Sequence, residues 1–527
     1  MTQELAREMT GLSREIRRIV GVLIDRRGSV THVMVGDGQS VEMPEWGRMR
    51  AGRGRLRGLR CVHTRLGGEP ISRDDLTDLA VLRFDAMATI EVQEDGLPGL
   101  VHAAALLPAN DDGDGIQFLD PFPPSRFDLD FQDLIRALED ELARSSRTRE
   151  VGDGDRAIVV VVTAGRTRKE TEAHTEELRE LARSADVEVV DVVVQNRARQ
   201  DPKTVVGSGK LQDLTIRCFQ SDVDLVIFDG DLNATQARNL AERLDLRVVD
   251  RTQLILDIFA QHAKTRDGKL QVELAKLKYV MPRLAQRDTS LSRLGGGIGG
   301  RGPGETKLEV DRRRVRERVS RLERDLSKLQ RQRQHRRARR ERRGVPVLSI
   351  VGYTNAGKST LLRALTKTEV PIEDKMFATL DPASRRLRFP RDREVVITDT
   401  VGFIRDLPDD LKTAFRATLE ELREADVFLH VVDGSEEDAE RKIAAVHSVL
   451  SDLGLRDRPE LLVYNKIDRL PPGEGSQRAA DAGAIAISAR SRTGLGELLE
   501  RAERALFEEG HGADLGLGDP SWAAGGD

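Results

Sequence analysis

Residues 352–360 read Gly-Tyr-Thr-Asn-Ala-Gly-Lys-Ser-Thr, two glycines, a lysine and a hydroxyl at the spacing that cradles a phosphate. Gly352 and Gly357 free the backbone to turn its N–H groups toward phosphate oxygens. Lys358 adds a positive charge where β- and γ-phosphates would lie, and Ser359 offers a hydroxyl to Mg2+. Tyr353, Thr354, Asn355 and Ala356 form the loop between the glycines; Asn355 is also a candidate ligand for a monovalent cation such as K+. The apolar run "VLSIV" precedes the loop and "TLLRALT" follows it, the strand–loop–helix context that this chemistry requires.

A phosphate loop does not choose a base. Asn465, Lys466, Ile467 and Asp468 do, about 110 residues later and at the end of the strand-like "LLVY". The Asp468 carboxylate can accept both the N1–H and the exocyclic N2–H of guanine. Adenine offers neither donor, and leaving the carboxylate unpaired costs upward of ~1 kcal/mol. The Lys466 stem would stack on the base, and Asn465 would tie the loop together. Ser488, Ala489 and Arg490 close the next strand, where a backbone N–H can meet guanine O6. The expected ligands are GTP and GDP.

Asp399, Thr400, Val401 and Gly402 end the strand "VVIT". Asp399 stands where a carboxylate supports Mg2+, and the Gly402 N–H is placed to sense a γ-phosphate. Among Phe377, Ala378, Thr379, Leu380 and Asp381, Thr379 is the candidate for a second Mg2+ hydroxyl, so Ser359 and Thr379 are the expected metal ligands. Lys358, Thr379 and Gly402 are the expected catalytic set. Phe403 occupies the place at which many GTPases carry a water-orienting glutamine, so hydrolysis is expected to be slow without a partner.

Positioning these residues requires an α/β fold. Strand and helix patterns alternate over 345–507, which predicts a P-loop GTPase domain with a doubly wound parallel sheet. Patterns over 156–255 predict a second α/β unit with a mostly parallel sheet. Between them, Leu270, Leu274, Leu277, Met281 and Leu284 alternate spacings of four and three, as do Val315, Val319, Leu322, Leu326 and Leu329. Two such seams predict an antiparallel helical hairpin over 256–343. An arm of about 25 residues at 1.5 Å each reaches ~40 Å, and the run Gly295–Gly304 at its tip is too glycine-rich to be helical. An α/β extension over 1–125, a linker over 126–155 whose onset is marked by the proline-rich stretch Asp120–Asp130, and a tail over 508–527 complete the expected organisation.

The 527 residues are 39% hydrophobic and 33% charged, enough for real cores under a heavily solvated surface. Two cysteines cannot build a disulfide framework, and the charged N-terminus lacks a signal-peptide core. No apolar run reaches 18 residues, so no membrane span is expected, and a cytoplasmic monomer is the default. Residues 311–343 hold 16 Lys+Arg against 5 Asp+Glu, a local balance of +11 inside a chain of net −4. That asymmetry points to a polyanionic partner.

Taken together, "GYTNAGKSTL", "FATLDP", "DTVGFI" and "NKID", preceded by "RTQLILDIFAQHAKTRDGKLQVELAKLKY" and "LSRLGGGIGGRGPGETKLEVDRR", resemble the HflX family of ribosome-associated GTPases. The likeness runs from about Arg156 to Leu506. It implies binding to the large (50S) ribosomal subunit, dissociation of stalled or idle ribosomes, and a hairpin tip reaching ribosomal RNA. Arg293, Arg301 and Lys307 are then the candidate RNA contacts. Two other readings stay open: a GTP-gated RNA-binding factor in ribosome assembly, and a stress-signalling switch on a protein partner. Some members carry a further small domain after the GTPase domain; contacts made by that domain are not carried over to this sequence.

The first 150 residues are additional to that pattern. Within them "VHTRLGGEPISRDDL" resembles the metal motif of RadC-like and JAMM-type domains, with His63, Ser72 and Asp75 in place and Arg65 where a second histidine should stand. Arginine cannot ligate zinc, so a degenerate, metal-free relic is expected. "VVGSGKL", residues 205–211, lacks phosphate-loop spacing and is expected to be a turn at a helix N-terminus, with ATP binding by this half left open.

Overall fold

The computed structural model describes residues 2–37, 40–41, 43–44, 56–107, 115–125, 154–284, 307–341, 345–366, 376–377, 383–389, 393–400, 402–404 and 420–507, with isolated positions among 133–140. They form two compact units, 1–179 with 186–250 and 180–185 with 251–527. No helix among the described residues is long and apolar enough to cross a membrane.

The first unit holds two sheets. Strands β1 (Val20–Asp25), β2 (Val30–Val35), β3 (Leu59–Arg65), β4 (Ala86–Val92), β5 (Pro98–Leu106) and β6 (Ile116–Phe122) lie in the order β2-β1-β3-β4-β5-β6. Only β3 and β4 run parallel. Gly28, at φ 90°, supplies the left-handed residue in the β1–β2 turn. One sheet face covers Leu23, Cys61, Leu79, Phe84 and Met87 beneath the helix Arg73–Val81. The other buries Val20, Val22, Val62 and Ile90 against Ala6 and Met9 of the helix Gln3–Ile16. β6 extends to Phe122, so the start of the segment expected as a linker is strand instead. Pro121 is tolerated there because β6 is an edge strand whose outer side needs no ladder N–H.

The second sheet is all parallel, ordered β10-β9-β7-β8, from β7 (Asp155–Val162), β8 (Val187–Gln195), β9 (Leu225–Phe228) and β10 (Arg247–Asp250). Its β7 run from Ala157 to Val162 is fully buried, as a strand covered on both faces must be. The helix Ser208–Gln220 joins the two sheets: its Leu211 and Leu214 enter this core, while Ile216 and Phe219 pack on the other. Gly207 caps that helix without a side-chain bond, and its N–H donates to Gln195 Oε1 at 3.1 Å. "VVGSGKL" is thus a helix-opening turn.

In the second unit the helices Arg266–Leu284 and Lys307–Glu341 pack together. Leu274 and Leu322 are buried, and Leu277, Met281, Val315, Val319 and Leu326 are half-buried along the seam. The ion pairs Arg318–Glu273, at 2.7 Å, and Lys278–Glu323, at 2.8 Å, flank it. These exposed pairs are screened by solvent and add little, so the apolar seam dominates. The glycine-rich run, Arg293 and Arg301 lie outside the described residues.

The last sheet is ordered β12-β13-β11-β14-β15-β16: β11 (Val347–Gly352), β12 (Ala383–Arg388), β13 (Glu394–Asp399), β14 (Val427–Asp433), β15 (Glu460–Asn465) and β16 (Ile485–Ala486). Every pairing is parallel except β12 with β13. Helices Lys358–Thr366 and Leu495–Phe507 close one face over Ile350, Ile397, Leu429 and Val463. The other face buries Val351 and Phe428 against Val446 and Leu450 of the helix Ala439–Asp452. The carboxyl ends of β11, β13, β14 and β15 therefore converge, delivering Gly352, Asp399, Asp433 and Asn465 to one edge, where open α/β sheets bind ligands.

Candidate nucleotide-binding site

The loop after β11 is shaped by contacts that only glycine permits. A Cβ on Gly352, at φ 149°, would lie 2.2 Å from the Val431 carbonyl oxygen, and one on Gly357, at φ 91°, would lie 2.3 Å from Asn465 Nδ2. Asn355 adopts a left-handed φ of 60°, tolerable for asparagine. Tyr353 and Ala356 are buried. The buried Lys358 ammonium donates to the Tyr353 carbonyl at 2.7 Å. Burial pushes its pKa down to about 8, helped by the Lys466 charge and opposed by Asp399.

Ser359 Oγ, at the start of its helix, donates to Asp399 Oδ2 at 2.7 Å. Asp399 ends β13 and is buried. Thr400 Oγ1 donates to the Ile350 carbonyl at 2.7 Å and pins this segment to β11. Gly402 follows in close contact with the loop: a Cβ there would meet Thr354 Cγ2 at 2.7 Å and Lys358 Nζ at 3.0 Å. The Thr354 N–H donates to the Phe403 carbonyl, and the Phe403 N–H to the Gly352 carbonyl, at 2.8 and 3.1 Å. The Phe403 ring is buried with Val351, Leu422 and Phe428. It has no polar atom to offer a water and cannot leave without opening that core.

Asn465 is the hub. Its Nδ2 donates to the Ala356 carbonyl at 2.9 Å, and its Oδ1 accepts from the Ala489 N–H at 2.9 Å. One buried carboxamide joins the phosphate loop, the Asn465–Asp468 loop and the Ser488–Arg490 loop. Lys466 takes φ 63° and pairs through Nζ with Asp433 Oδ2 at 2.7 Å. Ile467 and Asp468 form a single 3-10 turn, and the Asp468 side chain is exposed at the site's edge. Ser488 is buried, its N–H donating to the Thr493 carbonyl at 3.0 Å, while Arg490 is exposed.

Some expected residues are elsewhere or undescribed. The buried ring of Phe377 packs edge-on against Phe259, centroids 4.6 Å apart, which commits it to the core. Ala378, Thr379, Leu380, Asp381 and Val401 lie outside the described residues, as do the side-chain surroundings of Lys307. Asp433 was not anticipated; its signal is an acid closing the apolar "VFLHVV", the same strand-end position as Asp399.

In the extension, His63, Ser72 and Asp75 do meet, with Arg65 among them. Arg65 Nη2 donates to Asp75 Oδ2 at 2.6 Å, Ser72 Oγ donates to the same oxygen at 2.8 Å, and His63 Nε2 lies 3.1 Å from Oδ1. Burial alone would raise the Asp75 pKa. The His63 contact, the Ser72 N–H and Arg65 outweigh it and hold the carboxyl below the usual range. A depressed folded pKa means stability fully present above the unfolded value of about 3.9 and lost as pH falls through the folded value. Asp75→Asn should therefore destabilise the first unit by about 3–5 kcal/mol near neutrality, because it breaks a buried ion pair and removes the negative charge to which Arg65 and Ser72 donate. Its thermal unfolding should approach wild type only in strong acid; equal melting temperatures at pH 7 would show the pairing is not needed.

Residues 172–260 match the family described as GTP-binding GTPase N-terminal, 262–340 the GTP-binding GTPase Middle Region, and 347–466 the 50S ribosome-binding GTPase. The chain is 49% identical over 360 residues to the GTPase HflX of Caldanaerobacter subterraneus subsp. tengcongensis, spanning 68% of this chain and 82% of that protein. Against the GTPase HflX of Escherichia coli it is 43% identical over 337 residues, 63% of this chain and 79% of that protein. A Sulfolobus solfataricus GTP-binding protein solved with GDP aligns at 23% identity and TM-score 0.38, over 67% of this chain and 98% of that one.

Proposed function

The chain belongs to the HflX family of GTPases, and from that premise we propose that it hydrolyses GTP on the large ribosomal subunit and so dissociates stalled or idle ribosomes. The observation that carries the nucleotide half is the Asn465 clasp, which holds the phosphate, base and O6 loops in one frame. The ribosomal half rests on the match to a 50S ribosome-binding GTPase and on the basic helix Lys307–Glu341.

GTP would lie along the carboxyl edge of the last sheet, with its β- and γ-phosphates against Lys358 and the backbone N–H groups of 355–359. Guanine would face Asp468, with Lys466 held in line by Asp433. The oxygen donors fit Mg2+: Ser359, with Thr379, would hold it, and the adjoining Asp399 carboxylate supports it. When bound, Mg2+ offsets charge gathering on the phosphate oxygens. Gly402 lies close enough to Lys358 for its N–H to report the γ-phosphate, and Phe403 transmits its position into the core. With no glutamine after Gly402, the group that orients the attacking water comes from the docked partner.

GTP turnover by the purified chain should therefore be slow alone and rise by about a hundredfold or more with 50S subunits. Neither 30S subunits nor tRNA at the same salt should reproduce the rise. No stimulation by 50S, or equal stimulation by 30S, would defeat the ribosomal half. Stimulation without subunit dissociation in sedimentation would instead favour a role in assembly.

A further inference from the structure

We propose that His430, His447 and Glu460 form a binding site for a divalent transition-metal ion of the zinc class, made of residues distinct from those expected to hold the nucleotide's Mg2+. They come from three elements: β14, the helix Ala439–Asp452 and β15. One ligand atom from each lies within 4.8 Å of the others, the one such group among the described residues. His430 Nδ1 is 2.6 Å from Glu460 Oε1, and His447 Nε2 is 3.0 Å from both Glu460 oxygens. Ligand atoms around tetrahedral zinc, at bonds of about 2.0–2.2 Å, stand ~3.3 Å apart. Entry of an ion thus needs only a small rearrangement of groups already converged.

Two imidazoles and one carboxylate are a donor set zinc accepts, and three protein ligands leave a fourth position for water. The access side is right for this. The His430 side chain is 1% exposed, but those of Glu460 and His447 are 16% and 24% exposed. The two rings meet edge to face, centroids 5.3 Å apart, so neither blocks the other's nitrogen. Arg456 reaches Glu460 Oε2 at 3.4 Å from a half-exposed position and can retain that oxygen while Oε1 turns to the ion.

A second observation favours the ion over a plain histidine–glutamate network. His430 Nε2 is buried and has no hydrogen-bond partner. It belongs to a residue lining a cleft with Tyr353, Thr354 and Asp433, and Thr354 Oγ1 in the same cleft is also buried without a partner. While Nδ1–H donates to Glu460, Nε2 is a bare acceptor. With Nδ1 on a metal, the remaining ring proton sits on Nε2, which then donates instead of accepting. Metal-bound histidines ordinarily use that second nitrogen in this way. The site would clasp β14, β15 and the helix Ala439–Asp452 directly beside the phosphate loop.

The test is Zn2+ titration of the full chain, stripped with chelator, in excess Mg2+ and followed by calorimetry, with Co2+ absorption as a check on geometry. One equivalent should bind with a tetrahedral Co2+ spectrum, and it should raise the melting temperature. His447→Gln and Glu460→Gln, both at partly exposed positions, should each weaken binding at least a hundredfold. Without Zn2+ these variants should melt close to stripped wild type, which separates ligand loss from misfolding. His63→Gln, in the extension, should leave the equivalent intact. Absence of saturable Zn2+ binding, binding unchanged in both variants, or binding lost only in His63→Gln would each overturn the site.

Discussion

Asp468→Asn is expected to weaken GTP binding about a thousandfold and to make xanthosine triphosphate the preferred nucleotide. In the proposed pose the carboxylate accepts from both guanine donors, and two charge-assisted hydrogen bonds contribute about 1.5–3 kcal/mol each. An asparagine there can still accept from the guanine N1–H but presents an N–H to the exocyclic N2–H, losing that bond to repulsion. Xanthine, with a carbonyl at position 2, restores the match. The substitution should be local, since Asp468 is exposed in its turn and the frame is held by the neighbouring Asn465. Nucleotide affinities by fluorescence competition decide it. GTP affinity within a few-fold of wild type would mean the base is read by another residue.

Gly402→Ala separates binding from hydrolysis. A methyl group there meets the Thr354 backbone Cα at 2.9 Å as well as the Thr354 side chain and Lys358 Nζ. Backbone cannot swing aside as a lysine tip can, so the segment after β13 must retreat from the phosphate loop. A displacement on the order of 1 Å at reacting groups costs about a hundredfold in rate. The 50S-stimulated kcat should fall by at least that factor. GDP affinity should stay within about threefold, because the base loop and Asn465 are untouched. A matching loss of GDP affinity would show that Gly402 serves the fold of the loop and not the γ-phosphate.

How much of this could be seen in the residues depends on how local the physics is. The phosphate loop was legible because glycine spacing, lysine and strand context are all short-range. The hairpin seams were legible because Leu274 and Leu322 sit in a repeat that tertiary contacts did not override. The pairing of Asp433 with Lys466 was not, since it links residues 33 positions apart whose strands become neighbours only when β14 and β15 pair. Nor was the fate of Phe377, a residue of the expected nucleotide-binding segment whose ring packs on Phe259. The His430–His447–Glu460 group has no motif spacing at all; three separate elements create it. In the extension, the Arg65 substitution was visible, but its consequence, a guanidinium taking the carboxylate of Asp75, needed the fold.

The amide of Asn465 has a bearing on how the molecule breathes. Because its two ends grip Ala356 and Ala489, each loop opens only by breaking a hydrogen bond to a side chain that the other loop also holds. Hydrogen exchange across the phosphate loop and the Ser488–Arg490 loop should therefore run at a common rate, as one cooperative opening unit. A nucleotide would then escape through a single concerted gape of the cradle, and anything that slows that gape lengthens the residence of GTP and GDP alike.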